Sequence, residues 1–289
     1  MDVAPPVVLT IAGFDPSSGA GITADIKTIA AHECYGVACI TALTVQSTRG
    51  VRRVEGVDPK IIAETLQELA SDLAVEAVHI GMLGNERVVA AVADFLGQTR
   101  LPHVVLDPVL RSSSGADLLD AAGTKLLIER LLPLAEVITP NLDEASVLTG
   151  MAVTNLDQMR EAAARLHSLG AANVAITGGD LSKGEKAIDL LSFTTGRGTE
   201  QEVFKADRQR SNSTHGTGCA FSTALACHLA HGRGLPEAVL LSKAYVSAAI
   251  ANAYPLGQGA GPLHHLFRLG QQRRASTVVA EAEHAHSRN

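Results

Sequence analysis

The segment from Ser213 to Ser222, Ser-Thr-His-Gly-Thr-Gly-Cys-Ala-Phe-Ser, has residue types and a spacing that fit anion chemistry. Gly216 and Gly218 allow a tight backbone turn, and an alanine-rich helix follows them. The amides around Thr217 and the helix N-terminus would together form an anion hole. Cys219 would lie in the first helical turn, where the helix field is expected to lower the pKa of its thiol. A glycine-rich helix start with a buried cysteine is the structural alternative.

Polar side chains also follow two predicted strands. Asp107 comes after the apolar run 103–106, and Asn141 and Glu144 come after the run 136–139. Asn141 and Glu144 have the spacing of a capping box, which is their structural interpretation. In the functional interpretation, they hold Mg²⁺ through water near nucleotide phosphates, and Asp107 adds negative charge to the same metal. Both interpretations stay open at this stage.

Glycine-rich or polar segments follow other predicted strands as well, at residues 13–21, 46–50, 81–83 and 177–179. Ligands of open α/β sheets bind beyond the carboxyl ends of the strands, so these recurring segments indicate one site. The segment 13–21 is neither a Walker A sequence nor a G-x-G-x-x-G fingerprint. It is a structural turn or a ligand loop.

The elements that must position these residues alternate between short apolar runs and longer amphipathic stretches. Regular alternation of this kind predicts parallel strands with crossover helices, hence an open α/β sheet. Residues 187–206 differ, because two β-rich runs flank the turn Thr195–Gly198. This stretch predicts an antiparallel edge on the mostly parallel sheet. We predict one domain over residues 1–269 and a polar, disordered tail over 270–289.

Composition excludes several function classes. The net charge is −6 and aromatic residues make up only 3%, so neither a basic footprint nor stacking platforms for nucleic acid are present. No apolar run reaches the length of a membrane helix, and residues 1–6 do not resemble a signal peptide. The four cysteines form no C-x-x-C pair. A cytoplasmic protein without nucleic-acid or membrane partners is expected.

Taken together, these motifs resemble those of a known family. Gly216-Thr217-Gly218-Cys219, after Thr214-His215, resembles the anion-hole motif of ribokinase-like small-molecule kinases. Within that superfamily, the chain is similar to hydroxymethylpyrimidine/phosphomethylpyrimidine kinases. The similarity covers about residues 7–266. It is carried by residues 10–21, 24–25, 27–28, 40–51, 80–83, 107–109, 113–115 and 139–144.

The resemblance implies a ribokinase-like three-layer α/β/α fold and a phosphotransferase activity. The expected reaction is ATP-dependent phosphorylation of 4-amino-5-hydroxymethyl-2-methylpyrimidine and then of its monophosphate. The product would be the pyrophosphate that thiamine phosphate synthase uses. ATP and Mg²⁺ are the implied cofactors, and a homodimer is the implied assembly.

The resemblance also implies roles for individual residues. The residues that match the family's pyrimidine pocket are Gly13, Asp25, Gln46, Met82 and Val109. The residues expected near ATP are Asn141, Thr177 and Lys243, and those expected near the metal are Asp107 and Glu144. Thr177 departs from the family pattern, because many members have Lys there. A hydroxyl can donate a hydrogen bond to phosphate but supplies no charge, so one nucleotide contact is in doubt.

Cys219 stands where most ribokinase-like enzymes have an Asp base, and Cys is usual in hydroxymethylpyrimidine kinases. We predict that its thiolate is the base for the substrate hydroxyl; alternatively, it only orients that hydroxyl. Three other functions are considered. They are a pyridoxal kinase or a dual-activity kinase, a cysteine hydrolase built on Cys219 and His215, and a silent pyrimidine-binding module.

Overall fold

The computed structural model describes residues 4–112, 114–179, 181, 185–209 and 211–269, so the predicted tail 270–289 lies outside the described residues. The strands are β1 (Val7–Phe14), β2 (Tyr35–Ser47), β3 (Gly50–Gly56), β4 (Val75–Ile80), β5 (Val104–Leu106), β6 (Val137–Ile138), β7 (Val174–Ile176), β8 (Lys186–Thr195) and β9 (Gly198–Asp207). The helices are α1 (Gly21–Ala31), α2 (Pro59–Asp72), α3 (Glu86–Thr99), α4 (Ala121–Leu126), α5 (Leu142–Thr149), α6 (Leu156–Ser168), α7 (Thr217–Ala230) and α8 (Leu235–Ala251).

All nine strands form one sheet in the order β3-β2-β1-β4-β5-β6-β7-β8-β9. The six strands β2, β1, β4, β5, β6 and β7 are mutually parallel. β8 and β9 add the predicted antiparallel edge. A second antiparallel edge, β3, was not predicted. Residues 46–50, expected as a loop after a strand, instead carry β2 into a hairpin with β3. Most of β3 is exposed, so its sequence lacks the apolar signal of a buried strand.

The two faces of the sheet carry separate cores. Neighbouring strand residues such as Val8 and Leu9 point to opposite faces and belong to different apolar clusters. Side chains of α2, α3, α5 and α6 pack on the face of Leu9. Side chains of α1, α7 and α8 pack on the face of Val8. The predicted three-layer α/β/α architecture is confirmed.

Local signals set most of the helix boundaries. Asp58 caps α2 by accepting a hydrogen bond from the Lys60 amide at 2.9 Å, with Pro59 at the first helical position. Helix α4 is continued by a π turn at Leu127–Leu131 and a 3-10 turn at Leu132–Leu134.

Helix α7 is buried along nearly its whole length, from Ala220 to Cys227 and at Leu229. Its small side chains let it pack closely between α1, α8 and the sheet. α7 is therefore a rigid support for the loop that precedes it. Within the described ranges, no helix combines the length and apolar character that crossing a membrane requires.

Candidate active site

A cavity of about 560 Å³ opens at the carboxyl ends of the parallel strands. Strand order reverses at β1, with β2 on one side and β4 on the other, and ligands of open α/β sheets bind at such a switch point. All predicted site residues except Asp25 and Lys243 line the cavity. These lining residues are Gly13, Gln46, Met82, Asp107, Val109, Asn141, Glu144, Thr177, Gly216, Thr217, Gly218 and Cys219.

The anion loop, residues 216–218, is shaped by one glycine. Gly216 has a φ of 82°, in the left-handed region, and α7 begins directly after it. A β-carbon on Gly216 would collide with the backbone carbonyl of Gly19. Only glycine lets the anion loop and the first glycine-rich loop pack this closely. The cavity thus meets the positive end of the α7 dipole at residues 217–219.

Cys219 is half-buried in the first turn of α7, as predicted. Its thiol lies beside the Asp107 carboxylate and the Gly21 backbone, and both act on the pKa of the thiol. Burial, together with the charges of Asp107 and Asp25, raises the pKa of the Cys219 thiol well above its usual value. The prediction that the helix field lowers this pKa is wrong, because burial and the two carboxylates outweigh one helix end.

The charged side chains that act on the thiol are therefore carboxylates. A cysteine hydrolase needs an imidazole in that place, oriented by a third group. This geometry argues against the hydrolase built on Cys219 and His215.

Asp107 and Glu144 form an acidic pair at the floor of the cavity. Burial raises the pKa of Asp107 to about 6. Burial and the Asp107 charge raise the pKa of Glu144 to about 8. Two buried carboxylates that resist ionisation fit a cation between or beside them, because a cation would relieve both desolvation and repulsion.

The capping interpretation of Asn141 and Glu144 is confirmed as well. The Glu144 amide donates to Asn141 Oδ1 at 2.9 Å, and the Asn141 amide donates to Glu144 Oε2 at 2.9 Å. Capping leaves further lone pairs of Glu144 for other partners. No group of three or more His, Cys, Asp or Glu side chains in the described ranges is arranged as a metal site. Mg²⁺ is commonly coordinated by one or two carboxylates together with waters and phosphate oxygens.

The opposite end of the cavity is apolar. Met82 and Leu118 are buried there with Ala42, and Val109 packs against them. Gly13 lies against Met82, because a β-carbon on Gly13 would approach the Met82 sulfur to 2.9 Å. These residues form an apolar slot, and the absence of a side chain at Gly13 leaves room beside Met82.

Gln46 lies in the cavity lining in a fixed orientation. Thr44 Oγ1 donates to Gln46 Oε1 at 3.1 Å, and Gln46 Nε2 lies 3.2 Å from His215 Nε2. An amide held in this way presents a defined donor and acceptor to a ring edge.

Asp15 and His215 are site residues whose roles the sequence did not reveal. His215 Nε2 lies 2.9 Å from Asp15 Oδ2, and Asp15 Oδ1 accepts hydrogen bonds from the amide and hydroxyl of Ser17 at 2.8 and 2.7 Å. Burial opposes ionisation, but the bonds from His215 and Ser17 outweigh it and lower the pKa of Asp15. The two residues are 200 positions apart. The only available signal was that each lies in a glycine-rich segment.

Asp25 does not line the cavity. It is fully buried beneath it, where Thr10 Oγ1 donates to Oδ2 at 2.8 Å and Thr223 Oγ1 donates to Oδ1 at 3.0 Å. His79 Nδ1 lies 3.4 Å from the same carboxylate. Burial opposes the charged form of His79, but Asp25 outweighs it and raises the pKa of this imidazole. In this structure, Asp25 joins α1, β1, β4 and α7 rather than meeting a ligand.

Lys243 does not line the cavity either. Its Nζ donates to Asp189 Oδ2 at 2.7 Å, and both side chains are buried. Asp189 Oδ1 accepts a hydrogen bond from the Gly178 amide at 2.9 Å. Gly178 follows Thr177, which lines the cavity. The structure therefore links Lys243 to the cavity through Asp189 rather than directly.

The chain matches a known protein family and several curated relatives. The family model for phosphomethylpyrimidine kinase matches residues 15–264. The chain is 41% identical over 269 residues to the hydroxymethylpyrimidine/phosphomethylpyrimidine kinase of Streptomyces coelicolor, covering 93% of this chain and 97% of that one. It is 45% identical over 260 residues to the thiamine biosynthesis bifunctional protein ThiED of Geobacter sulfurreducens. That match covers 90% of this chain but only 52% of the bifunctional relative, so the chain spans about half of that protein.

Solved structures confirm the ribokinase-like fold. A Bacillus subtilis pyridoxal kinase in complex with ADP has a TM-score of 0.83 at 37% identity, covering 92% of this chain and 100% of that one. A phosphomethylpyrimidine kinase from Clostridium difficile has a TM-score of 0.74 at 37% identity, with coverages of 85% and 99%. The family match over most of the chain and the identities to its relatives establish that this chain belongs to the phosphomethylpyrimidine kinase family of phosphotransferases.

Proposed function

We propose that this chain uses ATP to phosphorylate 4-amino-5-hydroxymethyl-2-methylpyrimidine and then the resulting monophosphate, as a step of thiamine biosynthesis. The observation that carries the proposal is the arrangement of one cavity. An apolar slot with an oriented amide lies at one end, an acidic pair lies on the floor, and the anion loop stands beside Cys219. These are the parts that transfer of a phosphoryl group to an aromatic alcohol requires.

The pyrimidine ring binds in the apolar slot. Met82 and Val109 contact its faces, and Gly13 leaves the space that the ring occupies. Gln46 pairs with the ring edge through its amide, which Thr44 holds in place. The ring bound in this way directs its hydroxymethyl group toward the acidic floor and the anion loop.

At the anion loop, the hydroxyl oxygen forms a bond to the γ-phosphorus of ATP. The bond between that phosphorus and the β,γ-bridging oxygen breaks, ADP leaves, and the hydroxyl proton is released. The amides of residues 216–218 and the positive end of α7 stabilise the charge on the transferring group. In the second reaction, an oxygen of the pyrimidine monophosphate takes the place of the hydroxyl.

Cys219 orients the acceptor oxygen in this proposal, rather than serving as the base. A thiol whose pKa is raised by burial, Asp107 and Asp25 stays protonated near neutral pH. Phosphoryl transfer proceeds through a loose transition state, in which positioning and electrostatics account for most of the catalysis. The thiol lies beside Asp107, and its sulfur is an acceptor for the substrate hydroxyl.

Asp107 and Glu144 are the residues that would hold Mg²⁺. When bound, the metal would offset the negative charge of the phosphates. Asn141 fixes Glu144 through the capping box, and Thr177 offers a hydroxyl to the nucleotide. Lys243 contributes indirectly, because its ion pair with Asp189 fixes the carboxylate that accepts the Gly178 amide.

Pyridoxal phosphorylation is the second candidate function. A Staphylococcus aureus pyridoxal kinase in complex with AMP-PCP and pyridoxal has a TM-score of 0.80 at 32% identity, covering 91% of this chain and 94% of that one. Because pyridoxal kinases share this fold, the slot is the part that discriminates. Gln46 and the Met82 wall favour the pyrimidine, and dual activity is compatible with the same anion loop.

The deciding experiment is a coupled assay of ADP release with hydroxymethylpyrimidine, its monophosphate and pyridoxal in parallel. We expect turnover with both pyrimidines and a lower kcat/KM with pyridoxal. Absence of ADP release with either pyrimidine overturns the proposal. Binding of the pyrimidine without ADP release would instead identify a silent binding module.

We further propose that the chain acts as a cytoplasmic homodimer, which rests on the family resemblance. Light scattering coupled to size-exclusion chromatography tests the assembly. Twice the chain mass of 30.1 kDa is expected, and a monomer over the micromolar range contradicts it.

A further inference from the structure

A short hairpin forms part of the cavity rim directly after β5. We call it the rim hairpin, residues 110–112 and 114–118. The Leu118 amide donates to the Leu110 carbonyl and the Ser112 amide to the Ala116 carbonyl, each at 2.8 Å. Arg111 Nε donates to Asp117 Oδ1 at 2.8 Å across the hairpin. The backbone bonds hold the base of the Arg111 side chain in one place.

Arg111 differs from the other charged side chains in the cavity lining because its charge is positive. Four carboxylates line the cavity, namely Asp15, Asp107, Asp143 and Glu144. Among the lining residues that the structure describes, Arg111 is the only Lys or Arg. A cavity that takes phosphorylated ligands against four carboxylates needs positive charge, and this side chain supplies it at a defined point.

The Arg111–Asp117 pair is easily exchanged. The side chains of Arg111 and Asp117 are 65% and 74% exposed, so solvent screens their attraction. Exposed pairs of this kind contribute little to stability, and a doubly charged ligand competes well with one exposed carboxylate. Asp117 therefore positions the Arg111 guanidinium, and a phosphate group can replace Asp117 as its partner.

The rim hairpin lies between the two ends of the cavity. Leu118 packs with Met82 and Val109 at the apolar slot. At the other side, the backbone of Leu110 lies beside the Glu144 carboxylate of the acidic pair. A substituent that runs from a ring in the slot toward the acidic floor therefore passes the rim hairpin.

We propose that Arg111 binds the phosphate group of the phosphorylated pyrimidine and so determines how well the chain accepts the monophosphate relative to the alcohol. This inference rests on the proposed function. The alcohol is neutral, whereas a phosphate monoester carries about two negative charges at neutral pH. A guanidinium can pair with two phosphate oxygens at once, so its contribution falls almost wholly on the monophosphate.

The test compares two acceptor substrates at saturating ATP. For Arg111→Ala, we expect the ratio of kcat/KM for the monophosphate to kcat/KM for the alcohol to fall about tenfold or more. Arg111→Lys keeps the charge but loses the paired geometry, so its ratio should lie between those of Arg111→Ala and the unmodified chain. Asp117→Asn removes the competing carboxylate and should lower the KM for the monophosphate about twofold.

The matched control is Arg53→Ala. Arg53 is also an exposed arginine paired with a carboxylate, Glu55 at 2.6 Å, but it lies on β3 outside the cavity lining. Its substitution should leave the substrate ratio unchanged. Calorimetric titration of the monophosphate without ATP gives a readout that is independent of turnover. Its Kd should rise by about the same factor in Arg111→Ala.

Two results would overturn the inference. They are an unchanged substrate ratio in Arg111→Ala, which equal losses for both acceptors would also give, and a rise confined to the KM for ATP. Failure of the proposed function has a different signature, because the unmodified chain would then release no ADP with either pyrimidine.

Discussion

Lys243 Nζ lies 2.7 Å from Asp189 Oδ2, and the other oxygen of this carboxylate accepts the Gly178 amide at 2.9 Å. Three elements meet in this contact: α8, β8 and the loop after β7. Lys243, which was expected near ATP, thus forms an ion pair that holds the backbone of the loop after β7. The ion pair is buried, with side-chain exposures of 8% and 9%, so breaking it leaves an uncompensated charge.

Lys243→Met should therefore lower the free energy of unfolding by about 3–5 kcal/mol. It should also raise the KM for ATP more than it changes kcat, because the Gly178 turn loses its anchor. Urea unfolding and steady-state kinetics measure the two effects. Lys186→Met is the control, since Lys186 forms an exposed pair with Asp207 on the β8–β9 hairpin and should cost at most about 1 kcal/mol. Equal unfolding energies for both variants would contradict the account of the buried pair.

Cys219 variants separate orientation from base catalysis. If the thiol orients the acceptor, Cys219→Ser should keep most of the turnover, because a hydroxyl in the same place can also donate and accept a hydrogen bond. Cys219→Ala should reduce kcat about 10- to 100-fold. A base would show losses of about 10²–10⁴-fold in both variants. Single-turnover measurement of phosphoryl transfer decides, and an Ala variant with near-full turnover would remove both roles.

Gly216→Ala should damage both folding and activity. Its φ of 82° is unfavourable for alanine, and the added methyl group would strike the Gly19 carbonyl. We expect a loss of at least about 1–3 kcal/mol of stability and a strong loss of kcat. Gly97→Ala in α3 is the matched control, because nothing lies within 4 Å of its added β-carbon. That variant should gain about 0.5–1 kcal/mol of stability. A stable, fully active Gly216→Ala protein would show that the anion loop does not depend on this conformation.

Three histidines predict acid sensitivity: His32 and His265 are buried, and His228 is half-buried. Burial lowers the pKa values of His32, His228 and His265 to about 4 each, and the rings of His32 and His228 meet edge to face at 4.9 Å. The unfolded chain binds these protons near pH 6.5, so it holds more protons than the native state between about pH 6.5 and 4. Stability from these groups is complete above that window. It falls as the pH is lowered through the window, by about 1.4 kcal/mol per pH unit for each histidine.

Asp107 and Glu144 act in the opposite direction, because their native pKa values are raised. The pH dependence of stability is therefore compared between variants that all keep Asp107 and Glu144, so that the contribution of these two carboxylates is the same in each. Urea unfolding at pH 7, 6 and 5 should give a shallower loss in His32→Asn than in the unmodified chain. His103→Gln replaces a half-exposed histidine paired with Glu136 and is the control. Parallel pH dependences in all three proteins would refute the prediction.

Much of the fold was predictable because the relevant signals are local. The βα alternation, the Asp58 cap and the hairpin around Thr195–Gly198 each depend on residues a few positions apart. The strand β3 was missed because its exposed residues carry little apolar pattern. The capping box at Asn141 and Glu144 was readable for the same local reason.

The amino-acid pattern was enough to specify the layered α/β architecture, the place of the anion loop at the start of α7, and most of the residues that gather at the strand ends. The packing of distant elements was needed to show that Cys219 lies beside Asp107, that Asp15 contacts His215, and that Asp25 and Lys243 do not line the cavity. It also reversed the expected shift of the Cys219 pKa. Backbone pattern is set by neighbours along the chain, whereas burial and charge are summed over every element that packs around a side chain.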